Sequence, residues 1–71
     1  MRITYDPQVD SMYISFKKGR VEVTTVRLTE DIAVDFGPGE EMVGIEILDA
    51  SEHLGFSKDS PKVQLENLKV G

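Results

Sequence analysis

Two runs of alternating apolar and polar residues, joined by Phe36-Gly37-Pro38-Gly39, occupy Asp31 to Leu48 and constrain this chain more than any other feature. Ile32, Val34 and Phe36 alternate with Asp31, Ala33 and Asp35; Val43, Ile45 and Ile47 then alternate with Met42, Gly44 and Glu46. A period of two is that of half-buried strands. Glycine accepts positive φ and proline fixes φ while donating nothing to a ladder, so the intervening residues predict a hairpin turn.

The flanking segments extend the same pattern. Arg2 to Tyr5 is a short β-type run ending at Asp6-Pro7, where proline interrupts any ladder. Ser11 to Phe16 alternates again, with Met12, Ile14 and Phe16 on one face and Ser11, Tyr13 and Ser15 on the other. After a turn at Lys18-Gly19, Val21 to Leu28 is rich in β-branched residues. Its apolar parity changes between Val21/Val23 and Val26/Leu28, which predicts a β-bulge near Thr24 and Thr25. Thr29 to Asp31 then turns into the central hairpin.

Strands about ten residues apart, with no helical period between them, predict an antiparallel meander of about five strands in which sequential strands pair. Beyond Leu48, Asp49-Ala50-Ser51-Glu52-His53-Leu54-Gly55 reads as a helical turn near residues 50–55, with Asp49 or Ser51 as N-cap and Gly55 as stop. In the C-terminal tail, residues 56–71, Val63 and Leu65 alternate with Gln64 and Glu66, and Leu68 and Val70 follow. That is a terminal strand or, on the Val63, Leu65, Leu68 spacing, a short helix. The expected class is mainly β, bordering on α+β, in one domain spanning 1–71.

Size sets the next constraint. At 71 residues a single core rarely supplies more than roughly 3 to 5 kcal/mol of net stability. With no cysteine and a lone His53, neither disulfides nor a thiolate or imidazole metal site supplements it, and no cofactor is implied. Oligomerisation is the remaining common device. No apolar run approaches the roughly 18 residues of a membrane span, and MRITYDPQVD lacks the apolar core of a signal peptide, so a cytoplasmic protein is expected. A net charge of −5 argues against direct nucleic-acid binding. Lys17, Lys18 and Arg20 flank a turn glycine and read as a solvated hairpin tip.

Tyr5-Asp6-Pro7, Asp10-Ser11-Met12-Tyr13-Ile14, Ile32-Ala33-Val34-Asp35 and Val43-Gly44-Ile45-Glu46-Ile47-Leu48-Asp49-Ala50-Ser51 together resemble a prokaryotic family, domain of unknown function 2283. The match runs in order over about residues 3–54, and the closing VGIEILDAS is its most specific part. The resemblance implies a small β-rich protein with no activity established for its family. Phe36-Gly37-Pro38-Gly39 departs from the acidic D-x-x-G hairpin commoner there.

Candidate chemistry is sparse. If Asp35 and Glu46 pair across the hairpin, their carboxylates, with Asp49 nearby, would suit acid-base work or a divalent cation in a metal-assisted hydrolase. Against that, acidic residues on the outer face of a sheet keep it wet, and Asp49 suits an N-cap. No nucleophile elbow surrounds Ser11, Ser15 or Ser51, and Glu40-Glu41 after the glycine turn would repel phosphate. His53 reads as a surface or interface residue, and Tyr5 and Tyr13 as packing or interface aromatics. The leading expectation is therefore a non-catalytic, self-associating interaction module, most simply a two-fold dimer. Tyr13, Met42 and Leu48 would form a second apolar patch at its interface, with Val63, Leu65 and Leu68 of the tail. An acidic, antitoxin-like partner of a small basic protein is the other binding class that the charge admits.

Overall fold

The computed structural model describes residues 1–19 and 22–66. Five strands form one sheet: β1 (Arg2–Asp6), β2 (Ser11–Ser15), β3 (Thr24–Arg27), β4 (Ile32–Phe36) and β5 (Met42–Leu48). A short helix, α1 (Ala50–Leu54), follows. All neighbouring strands are antiparallel, and the order across the sheet is β1-β2-β5-β4-β3. This is the mainly β fold with a small helix that the alternation predicts.

Sequential pairing holds for β1-β2, β3-β4 and β4-β5 but not between β2 and β3, because β5 takes the place beside β2. Burial decides this. In register, Met12 meets Ile47 and Ile14 meets Ile45 on one side of β5, while Ile32 meets Ile47 and Val34 meets Ile45 on the other. The most apolar strand thus gains apolar neighbours on both flanks. Thr24, Thr25 and Arg27 make β3 a poorer central strand, and it lies at the edge.

Two further expectations are corrected. The register irregularity falls between β4 and β5, where Asp35 pairs with Gly44 and Phe36 with Met42, not near Thr24 and Thr25. Val43 is the extra residue; it is buried, and its carbonyl accepts the Phe16 N–H at 2.8 Å. The apparent parity change in the third run instead reflects its length, since β3 begins only at Thr24. In the tail, residues 61–66 form neither strand nor helix; Leu68 lies outside the described residues.

The turns follow local chemistry. Thr29 Oγ1 accepts the N–H groups of Asp31 and Ile32, and Leu28 N–H donates to Ile32 O, closing the β3-β4 turn. The glycine and proline connection runs through a 3-10 turn at Pro38–Glu40, with Gly39 at φ 72°.

Pleating sorts the sheet into two faces. On one, Tyr5, Met12, Ile47 and Ile32 form a first row, and Ile3, Ile14, Ile45, Val34 and Val26 a second. Phe36 and Met42, with Phe16 continuing the alternation of β2, form a third. Helix α1 and Phe56 cover the first row, and Ile14 and Ile45 of the second pack against the same cluster. Ala50 is wholly buried against Met12 and Ile47, and the Phe56 ring meets Tyr5 edge-on at 5.0 Å. Ile3, Phe16, Val26 and Met42 remain 36 to 46% exposed, and among the described residues no large side chain is fully buried.

Candidate interaction surface

The other face is polar and hydrogen-bonded within itself. Tyr13, Glu46, Ala33 and Arg27 share one row, and Ser15, Gly44, Asp35 and Thr25 the next. Tyr13 crosses between the rows: its hydroxyl donates to Asp35 Oδ2 at 2.7 Å while Thr25 Oγ1 donates to Oδ1 at 2.6 Å. The ring passes directly over Gly44, where an added Cβ would lie 2.1 Å from the Tyr13 hydroxyl oxygen. This accounts for the glycine inside an otherwise apolar strand. Gly44→Ala is expected to push the tyrosine aside, break its bond to Asp35 and destabilise the protein by about 1 to 2 kcal/mol in chemical denaturation. An unchanged denaturation midpoint would refute that role for the glycine.

Asp35 and Glu46 therefore share a face but stand in adjacent rows, Asp35 opposite Gly44 and Glu46 opposite Ala33. Both Asp35 oxygens are taken, and Arg27 lies 3.8 Å from Glu46 in an exposed, weak pair. Asp49 does not join them. It occupies the N-cap position of α1 with φ 55°, and its side chain makes no capping bond. Asp35, Glu46 and Asp49 are thus not gathered into a site, and among the described residues no group of three His, Asp or Glu side chains is arranged to hold a metal ion. Beyond the end of β2, Lys17 is ion-paired with Glu41, the residue before β5. His53 Nε2 lies 2.9 Å from Asp31 Oδ2, both partly exposed.

The capping role belongs to Asp10, a residue 41 positions away from Ser51 in the chain. Its backbone is left-handed at φ 53°, and its side chain is nearly inaccessible. Asp10 Oδ1 accepts the Tyr5 hydroxyl at 2.6 Å and the Ser51 N–H at 3.0 Å; Oδ2 accepts Ser51 Oγ at 2.6 Å. The Asp10 carbonyl also accepts the Ala50 N–H. One carboxylate thereby ties the β1-β2 turn to the N-terminus of α1 and seats Ala50 in the core. Burial alone would raise the pKa of Asp10. Hydrogen bonds from Ser51 Oγ, Tyr5 and the Ser51 N–H, with the Lys58 charge, outweigh it and hold the carboxyl below its ordinary value of 3.8.

Both tyrosines are perturbed in the opposite sense. Burial, followed by the bond to Asp10, pushes Tyr5 up to about 12; the bond to Asp35, followed by burial, pushes Tyr13 up to about 12. Since the chain has two tyrosines and no tryptophan, absorbance near 295 nm reports them cleanly. Their folded pKa values are raised, so this stabilisation is complete below pH 10 and lost as pH rises toward 12. The native protein should show no tyrosinate step at pH 10. A step there with native circular dichroism would contradict the two hydrogen bonds.

These features define a small, mainly β protein with a self-satisfied polar face and a partly covered apolar one. The chain belongs to the family described as "Protein of unknown function (DUF2283)", whose model matches residues 2–51, as the sequence resemblance implies. Neither the curated proteins nor the solved structures contain a match. Among the described residues, no helix is long and apolar enough to cross a membrane.

The residues expected to form one interface patch are dispersed. Tyr13 and Leu48 lie on the polar face, with Tyr13 held by Asp35, whereas Met42 pairs with Phe36. Val63 and Leu65 are exposed in the tail, and Leu68 is outside the described residues. Counting parities hid this, because Val43 shifts the register before Met42 and Tyr13 spends its hydroxyl on a bond within the chain. The exposed apolar positions of the sheet are instead Ile3, Val26, Phe16 and Met42 on the opposite face.

Proposed function

We propose that this chain is a non-catalytic interaction module that self-associates, two copies meeting through the apolar faces of their sheets. The supporting observation is the rim of the apolar face, where Ile3, Val26, Phe16 and Met42 remain 36 to 46% exposed around the buried Val34. The accessible surface is 5895 Å², against about 4,400 Å² expected for a compact monomer of this mass. The exposed tail, with Val63 and Leu65 at 60% and 81%, and the exposed rim of the apolar face both contribute to that excess.

A second copy suits this face better than a basic partner. The face is uncharged, so two chains of net charge −5 meet there without opposing carboxylates. Several carboxylates that would greet a basic protein are already engaged: Asp10 and Asp35 in hydrogen bonds, Asp31 beside His53, Glu41 with Lys17. A core this thin also gains stability from cover, which a copy of itself supplies. The thermal midpoint is expected to rise by about 5 to 10 °C between 1 and 100 µM protein, because association stabilises by mass action. A midpoint independent of concentration would count against the reading.

A further inference from the structure

Resting on that self-association, we propose that the tail of each copy adds as a sixth strand to the free edge of β3 in its partner, exchanging Lys62–Glu66 between the two chains. Three features of the fold lead to it. First, β3 is the last strand of the sheet, and among the described residues no strand lies beside its outer backbone groups. Thr24, Thr25 and Val26 favour a pleated neighbour, whereas the opposite edge, β1, is followed by Pro7. Second, residues 61–66 are in neither strand nor helix although they alternate in the strand pattern, and Val63 and Leu65 are 60% and 81% exposed. Third, an open groove beside β3, lined by Thr24, Val26, Phe36, Gly37 and Glu40, is wide enough to admit an added apolar side chain.

Chain geometry makes the exchange intermolecular. Phe56 rests on Tyr5 of β1, and the tight turn at Ser57 to Ser60 releases the tail on that side. Four strand spacings, about 19 Å, separate β1 from β3 of the same copy, which residues 61–66 would largely exhaust in crossing. A two-fold axis parallel to the strands between facing sheets lays β1 of one copy over β3 of the other and brings the tail to that edge. An antiparallel register with Leu65 opposite Val26 sets Val63 opposite Leu28 and Gln64 opposite Arg27. Glu66 then lies diagonal to Arg27, so apolar residues meet apolar ones and the charges are complementary.

The chain has no cysteine, so engineered pairs report without background. Full-length Leu65→Cys is mixed with full-length Val26→Cys or, for comparison, with Ile3→Cys on the other edge. Mild oxidation is followed on non-reducing gels while light scattering records the mass. The Leu65/Val26 mixed disulfide is expected to form on the order of 100-fold faster than the Leu65/Ile3 one, as an effective concentration near millimolar compared with micromolar protein requires. A dimer in which the two pairs react equally would overturn the exchange and leave self-association standing. A monomer with native circular dichroism would overturn both.

Discussion

Replacing Asp10 by alanine is expected to lower the thermal midpoint by on the order of 10 °C, the largest effect of any single polar substitution in this protein. The change removes the acceptor for the Tyr5 hydroxyl, the Ser51 N–H and the Ser51 hydroxyl together, and it strains a backbone that Asp10 holds at φ 53°. Asp10→Asn separates these causes. Asparagine tolerates the left-handed backbone, but its amide group presents a donor where three donors already converge. Because the folded pKa of Asp10 is depressed, its contribution is complete above 3.8 and is lost as pH falls through the folded value below it. Thermal melts from pH 7 to pH 2 should therefore show an acid-dependent loss in the wild type that is smaller in Asp10→Asn. Equal midpoints for both proteins at pH 7 would show that the carboxylate does not tie the helix to the sheet.

Val26→Glu is expected to weaken self-association on the order of 100-fold and leave a folded monomer at 10 µM. Val26 ends the second apolar row and is 43% exposed, so the single chain accommodates the glutamate. In a two-fold interface the substitution acts twice, once from each copy. Thr4→Glu adds the same charge to the polar face, where it should leave the mass unchanged. If both variants dissociate alike, net charge and not the apolar face governs assembly.

Strand positions were legible because a period of two survives in a single sequence: β1, β2, β4 and β5 fall within a residue or two of the expected runs. The helix stop was legible too, since Gly55 takes the left-handed conformation that ends α1. Strand order was not, because Ile45 and Ile47 choose neighbours by burial from either flank, and sequence distance says nothing about which flank wins. The Asp10 clasp was present as a signal without a geometry. Tyr5, Asp10 and Ser51 all belong to the motifs that carry the family resemblance, yet alone Tyr5 reads as a packing or interface aromatic, Ser51 as a candidate N-cap and Asp10 as a residue between two strands. Gly44 likewise stands in a motif whose reason is a ring from another strand. The alternative carboxylate trio is not assembled for a related cause, as a two-residue offset in register turns opposed groups into diagonal ones.

Self-association through the apolar face is the central claim, and light scattering coupled to size exclusion at micromolar concentration tests it most directly. The account predicts a mass of twice the 7.9 kDa chain, falling to the single-chain value in Val26→Glu. A wild-type mass of 7.9 kDa with an intact β-type circular dichroism spectrum would contradict it.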